Sequence, residues 1–373
     1  MFHNFCDLNV LHVVESVSSN AGGLQSSVSC LVAATRRLGV NASVISVNDE
    51  GKLPSELVPT TYLNYNKFGK YKIVRDISQL IIRNKADIVL IHGVWAPICA
   101  QAMNACKING IPYIVSPHGM LSPYILSRKS KLKAIALKIY LKKLLIGASA
   151  IRVLNKAEES HVIECTASGG PFWCLPNGIV LPKTAPTVFR NPNEILHLGR
   201  IDPQKSSLEL VTSWSQLQSG GLLPEGAVLS IVGWSHDKAY ESKVKLVADK
   251  CSSIVWHGPS YAEERWLHYF RSSGYILPSI GEGLPTTVLE ALVGGAIPII
   301  SEHCNFEPEV FSQWALHVSP NVASISKSIV DFFNLPIEAR SKLVATGGQY
   351  VKQFNWDAIA GKLLNDIKML TVK

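Results

Sequence analysis

Short runs of β-branched and other apolar residues alternate with segments of helical period along almost the whole chain, and this rhythm leaves few folds open. Leu8–Glu15, Ala42–Val47, Ala86–Ile91, Pro112–Val115 and Ala150–Leu154 read as strands, with helical stretches such as Leu24–Leu38, Tyr71–Asn84 and Pro97–Asn109 between them. The rhythm restarts at Glu194–Leu198 and runs through Val228–Val232, Ile254–Trp256, Gly274–Leu277 and Ile297–Ser301. Apolar strands separated by helices are buried on both faces, the pattern of parallel sheets wrapped by helices rather than of hairpins. Leu181–Asn193 carries three prolines and no periodicity, and it breaks the series in two. The expected fold is α/β, with two doubly wound Rossmann-like domains facing across a cleft: residues 1–182, a linker at 183–193, and 194–356. Loops at the carboxyl ends of the strands would line the binding site. No repeat of fixed period offers a solenoid instead.

The chain is 373 residues long with 47% hydrophobic and 17% charged residues, which excludes a disordered protein. Its longest apolar stretches are interrupted by His92, Pro97, Ser116 and His118, or by Gly294, Gly295 and Pro298. None reaches the roughly 18 residues that a membrane span needs. Met1–Asn9 lacks the basic and leucine-rich regions of a secretory signal, so a cytoplasmic protein is expected. The eight cysteines form no CxxC pair and read as free thiols. The net charge is +8, and it is uneven: residues 1–183 hold 20 basic and 10 acidic side chains, residues 184–373 hold 16 and 18. An anionic partner for the first domain follows, whether membrane surface, phosphorylated acceptor or nucleic acid.

Three loops carry residues with chemistry to offer. In PSIGEGLPTTVLEALVGGAIPIIS, from Pro278 to Ser301, a strand ends near Leu277 and Gly281-Glu282-Gly283 makes the turn. Leu284 and Pro285 follow, Pro285 where a first helical residue is favoured, and Thr287–Val293 continues as a helix. The helix N-terminus at Pro285–Thr287, with free N–H groups at Thr286 and Thr287, would suit phosphate oxygens, while Glu282 and Glu290, eight residues apart, could accept from sugar or ribose hydroxyls. A plain strand–turn–helix with a solvated Glu282 fits the turn alone equally well. In the second loop, Gly199-Arg200-Ile201-Asp202-Pro203-Gln204-Lys205, Arg200 and Lys205 could clamp a pyrophosphate, each charge-assisted bond being worth roughly 1.5–3 kcal/mol. Taken alone, they are two surface cations. In the third, Asn20-Ala21-Gly22-Gly23, the adjacent Gly22 and Gly23 let backbone approach a ligand closely, although such pairs usually just make turns. It is neither GxGxxG nor a Walker A spacing.

Together these loops resemble the retaining glycosyltransferases of family 4, with the GT-B fold, and the likeness covers nearly the whole chain. Ile91–Trp95 (IHGVW), Ser116–Met120 (SPHGM), Pro176-Asn177-Gly178, the Gly199–Lys205 loop, Glu282–Ala291 and Phe354-Asn355-Trp356 occur in the family's order. The resemblance implies a nucleoside-diphosphate-sugar donor, with Glu282 on the transferred sugar, Glu290 on the ribose, and Arg200 and Lys205 on the diphosphate. It places His118 close to the anomeric carbon, and it returns a final helix, about residues 357–373, to the first domain. Val180 stands where the family usually has Asp, Ser206 where it has Gly, and Leu284-Pro285 replaces a more frequent aromatic-containing turn, so the donor sugar stays open.

Glycosyl transfer passes through an oxocarbenium-like state while the diphosphate departs with growing charge. Fixed cations and a helix N-terminus would stabilise that charge by preorganisation. No DxD-like motif appears, so no metal is expected. Arg128–Lys143 holds seven basic and no acidic residues; as a helix, Lys131, Lys138 and Lys142 form a stripe. Leu132, Ile135 and Ile139 flank it on one side and Leu137, Leu141 and Leu145 on the other. Such a helix suits an anionic membrane or a lipid-linked diphosphate acceptor. Nucleic acid is disfavoured by the lack of an RNP-like motif or zinc spacing. Trp95, Tyr124 and Asn177 are acceptor-side candidates, equally suited to packing. The expected activity is a hexosyltransferase acting on a lipid-linked or saccharide acceptor in bacterial surface-polysaccharide assembly. A nucleotide-sugar 2-epimerase, or a non-catalytic sugar-binding subunit of the same fold, are the rivals.

Overall fold

A computed structural model describes residues 8–17, 23–47, 58–63, 74–128, 130–167, 170–261 and 263–371. The chain divides into two compact units, residues 1–180 with 354–373, and residues 181–353.

The first unit is built on seven parallel strands: β1 (Asn9–Val14), β2 (Asn41–Val47), β3 (Thr60–Leu63), β4 (Ile88–His92), β5 (Tyr113–Ser116), β6 (Ala150–Val153) and β7 (Phe172–Cys174). They lie in the order β3-β2-β1-β4-β5-β6-β7. Every residue of β4 and β5 is buried, because helices cover both faces of the sheet. One face packs against Val94 in the loop after β4 and Ile98, Ala102 and Met103 of helix Pro97–Asn109. The other takes Val28, Leu31 and Val32 of helix Gly23–Arg37 together with Trp356, Ala360, Leu363, Leu364 and Ile367 of the C-terminal helix Trp356–Thr371.

Two short motifs dock that last helix. Phe354 O accepts from Ile179 N at 2.9 Å, and Asn355 Oδ1 accepts from Asp357 N and Ala358 N, giving the helix its N-cap. Trp356 lies so close over Gly178 that a Cβ there would sit 2.7 Å from the indole, so glycine is required by packing.

The second unit has six parallel strands: β8 (Asn191–Leu198), β9 (Val228–Val232), β10 (Ile254–Gly258), β11 (Ser272–Leu277), β12 (Ile297–Ile300) and β13 (Leu316–His317), in the order β10-β9-β8-β11-β12-β13. Both sheets therefore reverse strand order next to their first strand, between β1 and β4 and between β8 and β11, and a ligand crevice opens at such a switch point beyond the carboxyl ends.

The differences from the sequence reading are local. Strands β3, β7 and β13 are short edge elements that the apolar pattern does not mark, and β8 begins at Asn191, inside the stretch read as linker. The basic segment is not one continuous helix: Pro123–Ser127 ends before it, and Ser130–Ala136 leads into a π-helical turn at Leu137–Leu141 before Lys142–Ile146 resumes α geometry. The wider turn inserts a residue into the 3.6 period, so the spacing from Lys138 to Lys142 across it departs from that of a continuous α-helix. Seven free cysteines lie among the described residues, and no helix there is long and apolar enough to cross a membrane.

Candidate active site

The β8 and β11 loops meet at the switch point of the second unit. Asp202 Oδ1 accepts from Gln204 N at 2.9 Å and turns the chain through a 3₁₀ segment, Pro203–Lys205. Ser206 then takes φ 51°, left-handed backbone that explains why glycine suits this position, and helix Ser207–Ser219 starts. The 3₁₀ turn is joined to the acidic turn by backbone and side chain alike: Ile280 N donates to Gln204 O at 2.9 Å, and Gln204 Nε2 donates to Gly281 O. Lys205 Nζ thereby reaches Glu282 Oε1 at 2.5 Å, with both side chains only 11% exposed. Ser279 Oγ donates to the same carboxylate oxygen at 2.6 Å. From the far side Asn305 Nδ2 donates to Glu282 O at 2.5 Å and to Gly283 O at 3.2 Å, while Glu282 N donates to His303 O.

Beside this cation–carboxylate pair, helix Thr286–Val293 begins with Pro285 at its N-cap and no side chain capping it. The first helical residue is Thr286, one position after the proline, because Pro285 holds ψ 107° and is still extended. The free N–H groups there and the partial positive charge of the helix end favour anionic oxygen. Glu290, on the second turn, is buried: Oε1 accepts from Arg265 Nη2 at 2.9 Å and Oε2 from Tyr269 Oη at 3.0 Å. Burial raises its pKa against the opposing pull of Arg265 and Tyr269. These partners fix the carboxylate, and each oxygen keeps a second lone pair for a hydroxyl. His197, fully buried on β8, bonds Ile276 O and Ser207 Oγ at 3.0 and 3.1 Å and ties β8, β11 and the helix start together. Arg200 is exposed, with no ion pair among the described residues, in contrast to Lys205.

In the first unit, His118 follows β5 with φ 54°, an uncommon left-handed conformation for a side chain of this size. The buried Glu158 holds the bend, accepting from Gly119 N at 2.5 Å and from Leu154 N at 2.7 Å. His118 Nε2 lies 3.0 Å from His92 Nδ1, and burial together with the Arg152 guanidinium lowers its pKa to about 3. It is therefore a neutral imidazole at physiological pH.

The remaining candidates separate. Asn177 is buried, and with Pro176 O its Oδ1 accepts from Arg152 Nη2, at 3.1 and 2.8 Å, a role in holding the chain. Trp95 donates to Met120 O at 2.9 Å beneath the Lys133 ammonium, and Tyr124 is half-buried beside Arg128. Lys131, Lys138 and Lys142 are exposed, as are Leu132 (70%), Ile135 (54%) and Ile139 (73%), whereas Leu141 and Leu145 are buried in the core. Gly22 lies outside the described residues, and Gly23 opens helix Gly23–Arg37. Sequence reasoning missed the role of Ser279, three residues before Glu282 in the same turn, and those of Gln204, Asn305, Arg265 and Tyr269, whose contacts span 21 to 77 residues and leave no local signature.

Residues 21–181 match the family described as Glycosyltransferase Family 4, and residues 183–349 match Glycosyl transferases group 1. The chain belongs to the family 4 glycosyltransferases. It is 25% identical over 263 residues to a UDP-Gal:alpha-D-GlcNAc-diphosphoundecaprenol alpha-1,3-galactosyltransferase of Escherichia coli, a match spanning 65% of this chain and 65% of that relative's length. With a GDP-mannose:cellobiosyl-diphosphopolyprenol alpha-mannosyltransferase of Komagataeibacter xylinus it shares 24% identity over 388 aligned positions, 95% of this chain and 91% of the relative. Anabaena HepE, solved in complex with UDP and glucose, has the same fold with TM-score 0.76 and 15% identity over 97% of this chain and all of that one. The fold of this glycosyltransferase family member is GT-B, two parallel-sheet α/β domains.

Proposed function

We propose that this chain is a retaining glycosyltransferase that moves a hexosyl group from a nucleoside-diphosphate sugar to a saccharide carried on a lipid diphosphate, in bacterial surface-polysaccharide assembly. The observation that carries the reading is the Lys205 ammonium held against Glu282 beside an uncapped helix N-terminus. A departing diphosphate needs fixed positive charge, and a sugar needs hydroxyl acceptors; one loop cluster offers both. In the free protein the two side chains neutralise each other. A bound donor takes a share of Lys205 through its phosphate oxygens and of Glu282 through a sugar hydroxyl. Arg200, exposed on the same loop, adds a second cation from solvent. On this reading protein cations do the work of a metal, and chelation with EDTA leaves turnover unchanged. Leaving group and acceptor occupy the same face of the sugar, which gives retention without a covalent enzyme intermediate.

The lipid-linked acceptor is supported by the diphosphoprenol acceptors in both relatives' names. Charge supports a peripheral site at the cytoplasmic face of the membrane: no Asp or Glu occurs between Asp87 and Glu158, and the outward face of residues 131–142 combines lysines with exposed leucine and isoleucines. The deciding experiment offers UDP- and GDP-sugars with a polyprenyl-diphosphate saccharide and follows product by mass spectrometry and anomeric NMR couplings. Transfer with the donor's configuration kept is expected. Conversion of the nucleotide sugar without acceptor would establish an epimerase instead, and absence of both transfer and donor binding would leave a scaffold.

A further inference from the structure

Three imidazoles form an unbroken chain through the switch point of the first sheet. His12 on β1 is fully buried, His92 at the end of β4 nearly so, and His118 sits on the bend after β5. His12 Nδ1 lies 2.9 Å from His92 Nε2 with the ring planes 4° apart, and His92 Nδ1 lies 3.0 Å from His118 Nε2. We propose that His12 and His92 are positioning residues that lock His118 in its Nδ1–H tautomer, so that Nδ1 offers a hydrogen-bond donor to a bound sugar. The role of the donor rests on the function proposed above; the tautomer does not.

The polarity follows from counting protons. Burial keeps all three rings neutral, each with one N–H. Each N···N contact needs one donor and one acceptor, so a single choice at His92 fixes the whole chain. If His92 carries its proton on Nδ1, it donates to His118 Nε2 and accepts from His12 Nδ1–H. His118 then bears Nδ1–H, and His12 Nε2 is a bare lone pair. If His92 carries it on Nε2, every bond reverses, and His12 is left with an Nε2–H. Among the described residues His12 Nε2 is buried without a hydrogen-bond partner. An orphaned buried N–H is rarer and costlier than an under-used acceptor, so the first arrangement wins. Neutral histidine in water prefers the opposite tautomer, which gives the chain something to impose. The left-handed His118 backbone, pinned through Gly119 and Glu158, is strain of the kind kept at functional positions.

Long-range ¹H–¹⁵N correlation of the full-length protein labelled at histidine reads the tautomer directly. A pyrrole-type Nδ1 at His118 and His92 is expected; a pyrrole-type Nε2 at His118 overturns the chain, whatever the variants do. In turnover with the nucleotide sugar that the transfer assay identifies, His12→Asn places an amide N–H where Nδ1 stood and keeps kcat within about threefold. His12→Gln, whose amide falls near Nε2, lowers kcat about tenfold with donor KM little changed, roughly the factor for one net hydrogen bond. Equal effects of Asn and Gln would refute the polarity. His118→Ala with undiminished turnover would overturn the reading of the site even with the tautomer found as stated. A reversed tautomer beside an inactive His118→Ala would overturn the relay alone.

Discussion

Lys205→Ala separates the two tasks assigned to the Lys205–Glu282 pair. The contact is 2.5 Å long and each side chain is 11% exposed, so the substitution leaves a carboxylate nearly out of water with only Ser279 Oγ to serve it. Removing one partner of a buried pair costs about 3–5 kcal/mol, and the residual exposure together with Ser279 puts this case near about 3. For a unit of this size 1 kcal/mol moves the melting point by about 2–4 °C, so a fall of about 6–12 °C is expected. Lys205→Ala combined with Glu282→Ala removes both charges and recovers most of that loss, a coupling of about 1–3 kcal/mol in a double-mutant cycle. Turnover behaves differently. Loss of one fixed charge at the leaving group lowers kcat by about 10²–10³, and the double variant does not regain it. Calorimetry and initial rates on the same four proteins read both quantities. Wild-type kcat in Lys205→Ala, or recovery of activity together with stability in the double variant, would refute the assignment of Lys205 to the departing diphosphate.

Acid sensitivity follows from the buried histidines. Burial lowers the pKa of His12 to about 3 and of His197 to about 4, and that of His92 well below its ordinary value. The unfolded chain, titrating near the ordinary value of about 6.5, therefore binds more protons than the folded one, and stability falls as pH drops from about 6.5 towards 4. Urea midpoints at pH 7.5 and 5.0 should differ in that sense, and equal midpoints would contradict it. Gly178→Ala drives a methyl into Trp356 and should lower stability by about 1–3 kcal/mol, measured by urea unfolding. Arg37→Ala breaks an ion pair with Asp357 whose members are 56% and 51% exposed, and should shift the midpoint by no more than about 1 kcal/mol. Replacing Lys131, Lys138 and Lys142 together by Glu should abolish flotation with anionic vesicles at low salt while leaving the fold intact by circular dichroism; flotation equal to wild type would remove this face from the membrane.

Strand ends and motif loops were legible because they depend on local pattern. Val228–Val232 and Pro97–Asn109 are read to the residue from apolar runs and from Pro and Gly punctuation, and the two acidic and basic loops lie where strands β11 and β8 end. Edge strands escaped because Thr60–Leu63 is half exposed and mostly polar, so it has no apolar face to repeat. The π turn escaped because its sequence keeps an α-like spacing on both sides. The partners of Glu282 and Glu290 escaped for a different reason. Asn305, Arg265 and Tyr269 are brought in by sheet topology, and nothing near them in sequence marks the destination of their donors.

The C-terminal helix gives synthesis an unusual order. Trp356, Ala360, Leu363, Leu364 and Ile367 fill the core of the first unit, yet the ribosome makes them after all of the second. Domains generally fold as they emerge, but here the earlier one waits with an open apolar face while 173 further residues are added (181 through 353). A stop codon shortly after Gln353 would spare the later unit and cripple the one translated first.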